Sequence, residues 1–184
     1  MHAASWPGHA AVTDQPASTG KKFGLAAAPV ALVLALVAAL GQNDAAHEGR
    51  RYTAYLDGGG VPTVCAGITG EAVVWGKTYT AEECTALEAA YVQQMLAHMG
   101  QCVRGEFEFH EIKAWGHFAY NIGTSAFCRS TAARRLNAGE RTTACAEISK
   151  WVFSAGRDCR KAGSNCPGIP KRRAWERATC EGRK

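Results

Sequence analysis

Three residues in one short stretch have the types and spacing for acid–base chemistry. Eight residues separate Glu48 from Asp57, and five separate Asp57 from Thr63. A carboxyl group that stays protonated can give its proton to a leaving oxygen. A second carboxylate, helped by a hydroxyl, can then hold water on the opposite face of the reacting carbon, and cleavage of a glycosidic bond needs both. Proteins separate two such carboxyls by enclosing one, which raises its pKa, and leaving the other more solvated. A Glu and an Asp at this separation recur by chance in most chains, and Thr63 alone reads as an ordinary strand residue.

The elements around these residues must bring them to one cleft. The pattern places Glu48 near the end of a short helix that stops around Tyr52. Asp57 then enters a glycine-rich turn (Gly58, Gly59, Gly60), and Thr63 lies on the second strand of a small hairpin. A helix-to-hairpin corner of this kind can point one carboxylate across a cleft at a second carboxylate and a hydroxyl.

The whole string is more specific than the pair. It resembles the phage-type lysozymes of glycoside hydrolase family 24, whose signature is Glu, eight residues, Asp or Cys, five residues, Thr. Thr63, Val64, Cys65, Gly67 and Thr69 match that family's strand, and Phe118 to Gly123 match its FAYNIG helix end. The 130–139 stretch and the closing 171–180 stretch match as well, so the resemblance covers about residues 44–180. It implies Glu48 as proton donor, with Asp57 and Thr63 steadying charge and orienting the attacking water. It also makes Tyr120 and Asn121 candidates for sugar binding, with core packing the plainer reading of Tyr120. The departures are the Gly58-Gly59-Gly60 run, which loosens the turn, and Ala66-Gly67-Ile68, where relatives often carry an aromatic residue and a His.

Further along, Thr80 and Glu83 form a capping box ahead of an apolar stripe at Cys84, Leu87, Tyr91 and Met95. That helix is expected to run to His98, to end at Gly100 and to link two lobes. A second helix is expected over 108–122. Ser130 caps a short third helix that Gly139 closes, a fourth spans 143–154, and Pro170 opens the last. Arg172 and Arg173 on that last helix are candidates for contact with wall carboxylates and read most simply as a solvated face.

Ahead of the domain, residues 1–20 are rich in Ala, Ser, Pro and Gly without periodicity and read as a disordered tail. Lys21 and Lys22 then precede residues 23–40, a charge-free run at the lower length limit for crossing a bilayer. A cleaved export signal and a permanent anchor are both ordinary readings of such a run. The resemblance adds a third, which we prefer: the signal-anchor-release segment of lambdoid-phage endolysins, which tethers the enzyme and later leaves the membrane. Its seven alanines, with Gly24 and Pro29, suit exit, because they hold lipid weakly. Some relatives free a catalytic cysteine on release, but Asp57 stands at that position here.

The chain carries a net charge of +5, and beyond residue 41 it has 19 basic against 15 acidic residues, a net +4. Mild basicity suits an anionic wall or membrane surface, and no RNA- or DNA-binding motif supports a nucleic-acid partner. Cys65, Cys84, Cys102, Cys128, Cys145, Cys159, Cys166 and Cys180 are even in number and lack any Cys-x-x-Cys spacing. Disulfides in an oxidising compartment are therefore favoured over a metal site. Cys159 and Cys166, flanking a small polar loop, are the expected local pair.

The expectation is thus an α+β, lysozyme-like protein. A small lobe with a short β-hairpin sheet joins a larger, mostly helical lobe, preceded by an N-terminal hydrophobic segment. The parts are a tail (1–20), a signal-anchor segment (21–41) and a muramidase domain (42–184). It would hydrolyse peptidoglycan for host-cell lysis and phage release, as a monomer, with no metal or cofactor. Residues 23–40 would tether it to the inner membrane, facing the periplasm, until its release into that compartment, and a holin would act with it. The alternatives are a lytic transglycosylase cutting the same bond and a non-enzymatic, disulfide-rich wall-binding protein.

Overall fold

The computed structural model describes residues 20–44 and 50–183, with the backbone alone at 41–44. Glu48 and residues 1–19 of the N-terminal tail lie outside the described residues. The elements follow as β1 (Lys22–Gly24), a 3-10 turn (Leu25–Ala27), α1 (Val30–Asp44), β2 (Arg51–Leu56), β3 (Pro62–Cys65), β4 (Ile68–Thr69) and α2 (Ala81–Cys102). The second half adds β5 (Glu106–Glu108), α3 (Phe109–Ile122), α4 (Thr124–Arg129), α5 (Thr131–Asn137) and α6 (Arg141–Glu147). A small hairpin of β6 (Phe153–Ser154) and β7 (Arg157–Asp158) then leads to α7 (Gly168–Cys180).

Two cores sit at the two ends of α2. The smaller gathers Val64, Cys65, Ile68, Tyr79 and Cys84 under the antiparallel sheet β2-β3-β4. The larger collects Val92, Met95, Leu96 and Met99 of α2 with Ile112, Trp115 and Phe118 of α3. One helix thus carries its first turns in one lobe and the rest in the other. The expected two-lobed α+β architecture is the one observed.

The capping box forms as the sequence requires: the Thr80 side chain accepts from the Glu83 N–H, and the Glu83 carboxylate accepts from the Thr80 N–H. Gly100 does not end α2, which continues to Cys102. The glycine serves close approach instead, because a Cβ there would meet the Ala26 Cβ at 2.7 Å. The helix expected over 143–154 also stops early. α6 ends at Glu147, a 3-10 turn follows over Ile148–Lys150, and Phe153 enters β6. Cys145, Ile148 and Val152 are still buried, so the apolar face was real while the backbone carrying it changed. Ser130 caps α5 by accepting from the Ala133 N–H, and Gly139 has a φ of 77°.

The segment read as membrane-crossing has a definite place here. Pro29 follows the 3-10 turn and divides the run, and among the described residues no helix is long and apolar enough to cross a membrane. β1 pairs antiparallel with β5, Phe23 opposite Phe107. Leu32, Val33, Leu36, Val37 and Leu40 of α1 are buried in the larger core. Each such side chain contributes roughly 1.5–3 kcal/mol when fully enclosed.

All eight cysteines are paired: Cys65–Cys84, Cys102–Cys128, Cys145–Cys180 and the expected Cys159–Cys166.

Candidate functional site

The strand β2 begins three residues after Glu48, at Arg51, and runs through Tyr52 to Leu56. At Arg51 and Tyr52, where a helix was expected to end, the backbone is strand, and the part of that helix expected at Glu48 lies outside the described residues. Tyr52 and Tyr55 favour extended backbone, and Arg51 and Tyr55 find partners opposite Cys65 and Thr63, with a bulge between the two pairs.

Asp57 leaves the end of β2 and organises the turn that follows. Its Oδ1 accepts from the Gly59 N–H at 2.8 Å and from the Val61 N–H at 2.9 Å. Its own N–H donates to the Val61 carbonyl at 3.0 Å. This is the local side-chain-to-backbone bonding that suits Asp to turns, and Gly60, at a φ of 76°, supplies the left-handed step. Thr63 lies on β3 as expected, is 3% exposed, and donates its hydroxyl to the Val61 carbonyl at 2.9 Å. The structure thus brings Asp57 and Thr63 together around Val61. Both sit on the hairpin whose first strand starts at Arg51, three positions after Glu48.

The turn between β3 and β4 is held from three directions. Cys65 adopts a φ of 56°, unusual for a residue with a Cβ, and its disulfide ties it to the start of α2. The Ala66 N–H donates to Glu88 Oε1 of α2 at 3.2 Å. The Tyr120 hydroxyl of α3 donates to the Ala66 carbonyl. A Cβ at Gly67 would come within 3.2 Å of that hydroxyl, so Tyr120 is seated against the small lobe and also meets Tyr91 edge-on at 5.5 Å.

Beside the turn, Glu88 pairs with Arg50. The guanidinium Nε lies 3.1 Å from Glu88 Oε1, and Nη2 donates to Oε2. Burial works against the Arg50 charge, yet the Glu88 carboxylate outweighs it and leaves the guanidinium pKa above its ordinary value. A shallow, partly open pocket lies beside the pair. Val37 and Leu40 of α1, Ala66 and Ile68 of the hairpin, and Val92 and Tyr120 of the long helices wall it with Glu88. Neither Arg50 nor Glu88 was picked out from the sequence. A signal existed: Glu88 stands four residues from Cys84 and four from Val92, in the apolar stripe of α2.

Asn121 is exposed at the end of α3, and its Oδ1 accepts from Arg173. Arg173 is not on a solvated face: it is 2% exposed, with Nε donating to the Trp151 carbonyl at 3.0 Å, Nη1 paired with Glu176, and the Phe118 ring 5.0 Å away. Glu176 in turn bonds His117 Nδ1 at 2.6 Å. These are the contacts of a buried network joining α3 to α7, and they hold Asn121 from behind. Among the described residues no three His, Cys, Asp or Glu side chains are grouped to hold a metal ion.

With this geometry in place, comparison with known proteins is specific. The family model described as phage lysozyme matches residues 45–176. A SAR-endolysin of Escherichia phage 933W is 36% identical over 164 residues, which is 85% of this chain and 93% of that protein. Among solved structures, a mutant of P22 lysozyme superposes with a TM-score of 0.63 at 30% identity, covering 79% of this chain and 94% of that one. The muramidase domain of SpmX from Asticaccaulis excentricus gives a TM-score of 0.65 at 25% identity, again over 79% and 94%.

Proposed function

The chain belongs to the phage lysozyme family, and from that premise we propose that it is an endolysin hydrolysing the β-1,4 bond between N-acetylmuramic acid and N-acetylglucosamine in peptidoglycan. In this reading Glu48 gives its proton to the glycosidic oxygen as the C–O bond breaks. Asp57 faces the positive charge that develops at the anomeric carbon. With Thr63 it holds the water whose oxygen bonds to that carbon, and the water's proton leaves to the carboxylate. The observation that carries the reading is the pairing of Asp57 and Thr63 around Val61. It fixes a carboxylate and a hydroxyl on one rigid corner. Tyr120 serves by seating the β3–β4 turn. Asn121, held by Arg173, is the better placed of the two to meet a sugar.

The test is product analysis on purified peptidoglycan treated with the oxidised chain. Reducing muramic ends, with one water added per cut, support hydrolysis. Anhydro-muramic ends would turn the reading to a lytic transglycosylase, and binding without cleavage to a wall-binding protein.

Residues 23–40 we read as a signal-anchor-release segment that tethers the chain to the inner membrane, facing the periplasm, before release. Two features of α1 support this. The positions facing the core are apolar, as in any packed helix, but those facing outward are apolar too, with Val30 69% and Leu34 45% exposed. A surface helix ordinarily carries polar residues on that side. The second feature is the fit of the docked state: a Cβ at Gly116 would come within 2.6 Å of the Leu36 side chain, so α3 has a notch where α1 lies. The segment thus has an apolar environment available in either place, and leaving lipid need not cost its burial. The released enzyme would act as a monomer, after a holin has collapsed the membrane potential.

A further inference from the structure

We propose that Glu88 is a positioning residue for the hydrolytic site, acting through Arg50 and the Ala66 peptide. The inference rests on the muramidase reading above. Glu88 lies on α2 and is 7% exposed. Its carboxylate meets both edges of the catalytic hairpin at once. Arg50, at the entry to β2, forks onto both oxygens, and the Ala66 N–H, beyond the end of β3, donates to Oε1. The fork is further steadied by Thr85, whose hydroxyl lies 3.4 Å from each terminal nitrogen of Arg50. One peptide group further on, the Ala66 carbonyl takes the Tyr120 hydroxyl. A continuous polar path therefore runs from Arg50 through Glu88 and Ala66 to Tyr120, tying the hairpin to α2 and α3.

Stability alone does not call for a carboxylate at this place. Position 88 falls in the apolar stripe between Cys84 and Val92, where an aliphatic side chain would pack. Replacing a buried ion pair by such residues is often neutral or stabilising. A planar two-pronged pair does something that leucines cannot: it fixes the direction and distance of one chain relative to another. What it fixes here is the residue two positions after Glu48. Two residues of chain span at most about 7 Å, so anchoring Arg50 bounds how far the proposed acid can stray from the hairpin that carries Asp57 and Thr63.

The experiment uses the oxidised full chain with Arg50→Leu/Glu88→Leu together, and separately with Arg50→Lys, which keeps the charge and loses the fork. Melting temperature, kcat and KM on soluble peptidoglycan fragments are measured for each. The expected result for the double variant is a folded protein whose melting temperature stays close to that of the unaltered chain, lowered at most by the loss of the Ala66 N–H partner. Its kcat should fall on the order of tenfold to a hundredfold, the scale of small misplacement at a reacting centre, with KM changed far less. Arg50→Lys should lose kcat in the same sense. A double variant that keeps its kcat overturns the inference. Should the double variant not fold, Arg50→Lys decides: a reduced kcat supports the inference, and an unchanged kcat overturns it. If the unaltered chain releases no reducing ends, the muramidase reading falls and this inference with it. An active unaltered chain with fully active variants removes only the role of Glu88.

Discussion

Asp57 and Thr63 hold the same residue from two sides: the Asp57 carboxylate accepts the N–H of Val61, and the Thr63 hydroxyl donates to its carbonyl. The turn between them is thereby a fixed spacer, although it contains Gly58, Gly59 and Gly60. Three glycines in a row should make a hairpin loose. Here the two Asp57 bonds and the backbone pair between Asp57 and Val61 take up that freedom.

This arrangement separates two kinds of loss. Asp57→Asn keeps an acceptor oxygen for the turn but removes the negative charge, so kcat should fall by roughly 10²–10⁴ with little change in melting temperature. Thr63→Val is near in shape and lacks the hydroxyl, so it should fold and lose kcat to a lesser degree. Steady-state kinetics with parallel thermal melts check both. An Asp57→Asn protein with normal kcat would remove Asp57 from the mechanism.

The N-terminal helix offers a second separation, because its two faces are distinct in the docked state. Leu34→Lys alters the outward face, so the purified protein should fold and cleave peptidoglycan normally while its retention in the membrane fraction of expressing cells drops. Leu36→Asp puts a charge into a fully buried position and should cost roughly 3 kcal/mol or more, lowering activity and membrane retention together. Gly116→Val should leave membrane retention intact and reduce the activity of the released protein, because the added side chain fills the place of Leu36. Fractionation and wall-lysis assays on the three variants give the pattern.

The disulfides differ in how much chain they constrain. In the loop-entropy account, Cys145–Cys180, closing a separation of 35, contributes roughly 4 kcal/mol, and Cys159–Cys166, closing 7, roughly 2.5 kcal/mol. Paired Cys→Ala replacements followed by urea unfolding should rank them in that order. Removing Cys65–Cys84 should have a further effect, lowering kcat, since that bond ties the hairpin carrying Asp57 and Thr63, the proposed site residues, to α2.

A pH effect follows from the β6–β7 hairpin. The Arg160 side chain holds the Asp158 carboxyl down to about 2, with a further bond from the Arg160 N–H to the same carboxylate. Because the folded value is depressed, the stabilisation is complete above the ordinary carboxylate range and is lost as pH falls toward 2. The pair is at the surface, so the effect on global stability is small. An NMR titration of Asp158 should show the low value, and Arg160→Gln should return it toward the ordinary carboxylate range.

What the sequence revealed and what it hid divide along the reach of the interactions. The Thr80–Glu83 capping box, the Ser130 cap, the Asp57 turn and the Cys159–Cys166 bond were all legible, because their partners lie within a few residues. The helices α2 and α3 were equally plain, although Tyr91, read as part of the α2 stripe, is 40% exposed and the buried face runs through Glu88 and Val92 instead. The strand at Tyr52 was not, since its extended form depends on partners in β3. Arg173 was read as solvated because a cation on a short helix usually is, and only the tertiary approach of Trp151, Asn121 and Glu176 encloses it. Gly100 looked like a helix stop, yet the 3-10 turn at Ala26 packs against it. The Arg50–Glu88 pair spans 38 positions, and nothing local announces it beyond a charge in an apolar stripe.

The central claim, that Glu48 is the proton donor of a muramidase, is tested most directly by one comparison. The oxidised full chain and its Glu48→Gln variant are incubated with purified peptidoglycan, and muramic reducing ends are counted by mass spectrometry after circular dichroism has shown both to be folded. The account predicts abundant reducing ends from the unaltered chain and a loss on the order of a thousandfold or more in the variant. A folded Glu48→Gln protein that still releases reducing ends at the original rate would contradict it.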